Sequence, residues 1–148
     1  MHEHEDGLTT IELLIVIAVI GILGTITVLG LREVLQGQEQ RSAIQSIQQT
    51  VWQGATAAAS RGTTLELVRS GRTFTLEEAE NGRILKTFEL PDGVTSNWPE
   101  NEPLVFTPPG RVDSASLEKL PARIQVFTES SVTDLTVSLI GEVKAVKQ

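Results

Sequence analysis

The spacing of apolar and polar positions along this 148-residue chain changes character twice. Residues 13–31 are an uncharged run of Leu, Ile, Val, Ala, Gly and Thr. As a helix this run rises about 28 Å, close to the hydrocarbon thickness of a bilayer. Beyond it, Val34, Leu35, Ile44, Ile47, Val51, Ala55 and Ala58 fall on one apolar face of an amphipathic helix. Arg32, Glu33, Gln36, Gln38, Glu39, Gln40, Arg41, Gln45 and Gln48 occupy the other face. The pattern predicts one helix over about residues 8–60, its first half in lipid and its second packed on a globular domain. Arg61-Gly62 is the predicted stop, because glycine suits the left-handed residue that ends many helices. Trp52, beside the stripe, is predicted to enter the core between helix and sheet.

From Thr63 the period becomes two and turn residues multiply, which reads as β structure. Leu65, Leu67, Phe74 and Leu76 flank Ser70-Gly71 as a hairpin. Ile84, Phe88 and Leu90 follow an Asn81-Gly82 turn, and Pro91-Asp92-Gly93 closes that strand. Four prolines, Pro99, Pro103, Pro108 and Pro109, make residues 91–122 loop-rich, with one short strand at 104–107. A strand at 124–128 follows. Leu135, Val137 and Leu139 then alternate with Thr136 and Ser138, and the alternation resumes at Val143 and Ala145 as a terminal strand bent at Gly141. Trp98, in the proline-rich loop, reads as an anchor folded onto the domain, with partner docking as the alternative. The class is α+β, with segments 1–7, 8–31 (transmembrane helix), 32–62 (its amphipathic continuation) and 63–148 (a β-rich globular domain).

Composition narrows the chemistry. The absence of cysteine excludes disulfides, thiolate metal sites and thiol nucleophiles. A formal charge of −7 argues against a whole-surface affinity for nucleic acid or anionic lipid, although a local basic patch is compatible with it. His2 and His4 have no third ligand with which to hold a metal and read as solvated residues. Glu77, Glu78 and Glu80 with Asn81 could hold Ca²⁺, but a solvated acidic loop beside a turn is the commoner arrangement. No phosphate loop and no Gly-x-Ser-x-Gly nucleophile motif is present, so the sequence points away from an enzyme and from any cofactor.

The anomaly is Glu12, because a carboxylate inside lipid costs about 2.5 to 3.5 kcal/mol and calls for a partner. Thr9 and Thr10 beside it either satisfy local backbone groups or mark the membrane edge. The preceding M-H-E-H-E-D-G lacks the basic start, apolar centre and small-residue cleavage site of an ordinary secretory signal. A short polar leader ending in Gly7, then an apolar helix with Glu at its fifth residue, resembles the class III signal of type IV pilins and type II secretion pseudopilins. Leu8 stands where that family most often has Phe, and His2 and His4 where its leaders usually carry Lys or Arg.

The resemblance implies that a prepilin peptidase cuts between Gly7 and Leu8 and methylates the new amino terminus. Loss of Glu3, Glu5 and Asp6 would raise the charge from −7 to −4. Glu12 would pair with the Leu8 amine of a neighbouring subunit during assembly. Gly21, Gly24 and Gly30 would either pack helices closely in the membrane or form a weak segment that unwinds on assembly. The implied protein is a non-enzymatic subunit with a pilin-like fold, a long helix packed on a small antiparallel two-sheet domain. It would sit in the inner membrane by a single pass with the domain periplasmic, then enter a pilus or pseudopilus through an inner-membrane assembly platform and other pilin subunits.

The β half is similar to the GspH/FimT-like minor pilins. They share an apolar-x-Phe-x-x-x-Gly segment, here Leu104-Val105-Phe106-Thr107-Pro108-Pro109-Gly110, and a closing Gly-Arg-x-Arg, here Gly141-Glu142-Val143-Lys144. FimT-like members bind DNA through that closing motif, so the resemblance makes Lys144 and Lys147, joined by Arg111 and Arg123, the residues for DNA contact in an uptake (competence) machine. Glu142 stands where the motif has its first Arg and opposes phosphate.

Overall fold

A computed structural model describes residues 9–128 and 131–147, with residues 24–37 given as helix backbone alone. Two compact units are present, Met1–Gly37 and Gln38–Gln148. Helix α1 is Thr10–Arg61. In the first unit every described side chain from Thr9 to Leu23 is exposed, and the apolar ones point outward all round the helix. Among the described residues no helix is long and apolar enough to cross a membrane. The spanning helix expected over 8–31 is therefore not shown: its described side chains end at Leu23, short of the roughly 20 residues a span needs. Gly7, Leu8 and the leader lie outside the described residues, as do the side chains of Arg32, Glu33, Val34, Leu35 and Gln36 and the positions of Gly24 and Gly30.

In the second unit α1 buries Gln40, Ala43, Ile47, Thr50, Val51, Gly54, Ala55 and Ala58, at steps of three and four along one face. Two of these are polar. The Gln40 amide donates to Thr133 Oγ1 (3.2 Å) and accepts from Ser131 Oγ (2.7 Å), which is why it is buried and not on the outer face. The Thr50 hydroxyl turns back to the Ser46 carbonyl at 2.7 Å. Trp52 is 60% exposed, contrary to its expected place in the core. It follows the buried Val51 by one residue, and one residue turns a helix by about 100°. At the stop, Gly62 adopts φ +66 and its N–H reaches the Ala58 carbonyl at 3.0 Å.

The strands are β1 Leu65–Ser70, β2 Thr73–Glu78, β3 Ile84–Glu89, β4 Thr95–Ser96, β5 Leu104–Thr107, β6 Arg111–Val112, β7 Ile124–Phe127, β8 Val132–Val137 and β9 Val143–Lys147, with a short helix α2 at Ser114–Glu118. They form two antiparallel sheets, β3-β2-β1-β5-β6 and β4-β7-β8-β9. Alternate residues of both sheets, among them Leu65, Leu67, Phe74, Leu76, Leu104, Phe106, Ile124, Val126 and Leu135, meet the buried face of α1 in one core. Burying such a side chain contributes about 1.5 to 3 kcal/mol.

Trp98 is 1% exposed and meets Phe74 edge-on at 5.5 Å, as expected of a loop anchor. Arg69 of β1 holds that loop by donating to the carbonyls of Ser96 and Trp98. Residues 91–122 contain more structure than the single expected strand, since β4, β6 and α2 are too short to show a period. Helix α2 is set by Asp113, whose side chain accepts the Ser116 N–H at 2.9 Å. The chain end also differs from a single bent strand. Gly141 N–H donates to the Ser138 carbonyl at 3.0 Å and Ser138 N–H to the Glu142 carbonyl at 2.9 Å, so β8 and β9 form a hairpin. Leu139 therefore leaves the strand and is 51% exposed.

Candidate functional site

At the start of α1, Thr9 precedes the first helical residue. Its N–H and its hydroxyl both donate to Glu12 Oε2 at 2.9 Å, and the Glu12 N–H reaches back to Thr9 Oγ1 at 3.4 Å. This is a reciprocal capping box, which satisfies two backbone donors at the helix end. The helix dipole also favours a carboxylate in the first turn. Of the two readings of Thr9, local satisfaction is therefore the one observed, and its signal is plain in the sequence as Thr-x-x-Glu ahead of an apolar run. Thr9 supplies only neutral donors: they orient the Glu12 carboxylate without cancelling its charge.

The four basic residues considered for DNA contact are distributed over the fold. Lys144 and Lys147 lie three apart on β9, opposite Thr136 and Thr133 of β8, so their side chains leave opposite faces of the sheet. Lys144 Nζ is 4.0 Å from Glu142 Oε1. Arg123 stands just before β7 in the same sheet, with a guanidinium nitrogen 3.4 Å from Asp134 Oδ2. Arg111 belongs to β6, at the edge of the other sheet. Lys144 and Lys147 thus face opposite ways, Lys144 and Arg123 each stand beside a carboxylate, and Arg111 lies next to the β8–β9 turn with Leu139 and Ile140.

Glu78 is not the solvated residue expected of an acidic loop. It is buried at the end of β2, where Arg61 Nη1 approaches Oε1 at 3.2 Å and Asn81 Nδ2 donates to Oε2 at 2.9 Å. The Asn81 hydrogen bond, aided by the Arg83 and Arg61 charges against the opposing effect of burial, holds its pKa below the ordinary value. Glu78 thus ties the end of α1 to β2 and does not converge with Glu77 or Glu80. Among the described residues no group of His, Cys, Asp or Glu is arranged to hold a metal ion.

No protein-family profile and no curated protein matches the sequence. Among solved structures, the minor pseudopilin EpsH from the Type 2 Secretion System of Vibrio cholerae aligns with a TM-score of 0.55, covering 74% of this chain and 97% of that one at 16% identity. The chain has a pseudopilin-like fold. Within this pseudopilin-like fold the glycines of the two carboxy-terminal motifs seat α1. A Cβ placed on Gly110 would lie 2.8 Å from the Ala55 carbonyl oxygen and 2.9 Å from Ala59 Cβ; one on Gly141 would lie 2.7 Å from Ala55 Cβ. Phe106, four residues before Gly110, packs its ring so close to Gly54 that a Cβ there would come within 2.6 Å.

Proposed function

We propose that this chain is a minor pilin or pseudopilin, a non-enzymatic structural subunit that assembles through its amino-terminal helix into a type II secretion pseudopilus or a type IV pilus. The single observation that carries the reading is the pseudopilin-like fold over nearly the whole of a minor pseudopilin. The exposed first unit supports it, because a helix that is apolar on every side needs lipid or other helices around it. In sequence that run continues to residue 31, long enough to anchor the subunit in the inner membrane with the β domain periplasmic. The prepilin peptidase cuts between Gly7 and Leu8 and methylates Leu8. Glu12, oriented by Thr9, then meets the Leu8 amine of a subunit already in the filament as the assembly platform feeds subunits in. Removing one member of such a low-dielectric pair costs about 3 to 5 kcal/mol.

The test is Glu12→Ala in the full chain expressed with its own assembly machinery. Membrane insertion, read by resistance to alkaline extraction, should persist while incorporation into sheared filaments is lost. The intact mass of wild-type subunit from those filaments should correspond to a methylated chain beginning at Leu8. Normal incorporation of Glu12→Ala refutes the mechanism. DNA contact through Lys144, Lys147, Arg111 and Arg123 is not adopted, since Lys144 and Lys147 leave opposite faces of β9 and Glu142 and Asp134 stand beside Lys144 and Arg123.

A further inference from the structure

An open strand edge carries backbone groups that can pair with another chain, and among the described strands one outer edge is both long and open. Of the outer strands, β4 and β6 have two residues each. At β9 the Gln48 side chain donates to the Val143 carbonyl at 2.9 Å, so α1 occupies part of that edge. The remaining outer strand is β3, with six residues. The Leu90 N–H bonds the Arg72 carbonyl at 2.9 Å, and Phe88 and Lys86 stand opposite Phe74 and Leu76 in the same register. Alternate residues of an antiparallel strand bond the partner, so Lys86, Phe88 and Leu90 turn their backbone groups to β2. The N–H and carbonyl groups of Thr87 and Glu89 therefore point away from it, where no strand follows.

The side chains beside that edge restrict what can pair with it. A bulge sets Lys86 opposite Leu76 and Ile84 opposite Glu77, which makes Leu85 the extra residue of β3. Leu85 and Lys86 both line a groove of about 500 Å³ whose other wall is α1, with Trp52 and Ala57. Trp52 is 60% exposed there, and tryptophan is enriched among the residues that dominate binding. One cation of the groove, Arg61, is engaged by Glu78. The other, Lys86, is half-buried on the core-facing side of the strand and makes no ion pair among the described residues. A strand added to β3 would cover this ammonium. Covering an unpaired charge is costly, and a carboxylate facing it offsets that cost. Lys86 thus bars an apolar strand and admits an acidic one.

We propose that the β3 edge binds an extended acidic segment of a partner protein by strand addition. The segment bonds Thr87 and Glu89 through its backbone, sets a carboxylate opposite Lys86 and lays flanking apolar side chains against Leu85 and Trp52. Backbone bonds supply the affinity, and the alternate side chains that enter the groove supply the specificity. The inference goes beyond the proposed function: it uses neither Glu12 nor the amino-terminal helix, and it holds whether or not the chain enters a filament.

The probe is a blocked seven-residue peptide with valine, glutamate and valine at its second, fourth and sixth positions and threonine elsewhere. Alternation puts those three side chains on one face. Added to the isotope-labelled full chain in mild detergent, it should saturably shift the amide resonances of Thr87 and Glu89 and slow their exchange with water. Trp52 emission should move to the blue, and Trp52→Phe should remove that change. The same peptide with lysine in place of glutamate should bind about fivefold more weakly, and the Lys86→Glu chain should reverse the preference. Thr87→Pro removes a donor that faces away from β2, so this variant should keep its native circular dichroism and lose the peptide. The proposal is overturned by any of three results: no saturable shift at Thr87 and Glu89 up to millimolar glutamate peptide, equal binding of the glutamate and lysine peptides, or undiminished binding by a natively folded Thr87→Pro chain.

Discussion

Replacing Gly141 by Ala separates a packing role for that residue from a binding one. The backbone there has φ +76, a left-handed conformation that costs an L-residue with a side chain about 1 to 2 kcal/mol. The new methyl would also stand 2.7 Å from Ala55 Cβ, and overpacking of that kind costs about 1 to 3 kcal/mol. The stiffer unfolded chain returns about 0.4 to 1 kcal/mol. The expected loss is about 2 to 4 kcal/mol, a large share of the roughly 5 to 15 kcal/mol that holds a domain folded. Urea unfolding of the full chain in detergent, followed by the near-ultraviolet circular dichroism of the buried Trp98, measures it. Ala55→Gly removes the opposing methyl at a helix-propensity cost of about 1 kcal/mol. Combined with Gly141→Ala it should therefore show a favourable coupling of about 1 to 3 kcal/mol, the clash term alone. A Gly141→Ala variant within about 0.5 kcal/mol of the parent, or a cycle with no coupling, refutes the packing argument. A glycine kept for close approach to a ligand would show the backbone cost without the coupling to Ala55.

Two further outcomes rest on residues whose environment differed from, or matched, the sequence reading. Because the Glu78 pKa lies below its ordinary value of 4.5 in the folded chain, its contribution is present above that value and is lost as pH falls through the folded pKa. Glu78→Gln should therefore flatten the acid limb of a stability-against-pH curve, and an unchanged limb would show that the Asn81 and Arg61 contacts contribute nothing. Trp98→Ala should cost about 3 to 5 kcal/mol by emptying a core site, whereas Trp52→Ala should stay within about 0.5 kcal/mol of wild type in the same urea assay. Comparable losses at the two positions would contradict the observed burial.

Much of the fold could be read from period alone. The stripe Ile47, Val51, Ala55 and Ala58 and the alternation in β1, β2 and β8 record side chains that meet one core, and burial leaves that trace in composition. What escaped has identifiable causes. Gln40 reads as a surface residue because nothing in the local sequence announces Ser131 and Thr133, which satisfy its amide from about 90 residues away. Trp52 reads as core because its chemistry suggests burial, while the helical angle decides otherwise. The strands β4 and β6 carry two residues each, too few to display alternation. Leu139 continues the alternation in sequence, yet a turn formed by Ser138 and Gly141 removes it from the strand. The capping box was legible in Thr9 and Glu12, both its residues lying within one turn.

The two motif glycines take on a single meaning once Ala55 is seen between them. Gly110 follows β5 in one sheet and Gly141 precedes β9 in the other, and both press on the same turn of α1. Where they meet, the Val112 N–H donates to the Leu139 carbonyl at 2.9 Å and joins the sheets directly. The glycines of the two motifs thus serve a packing arrangement that fixes two sheets against one helix.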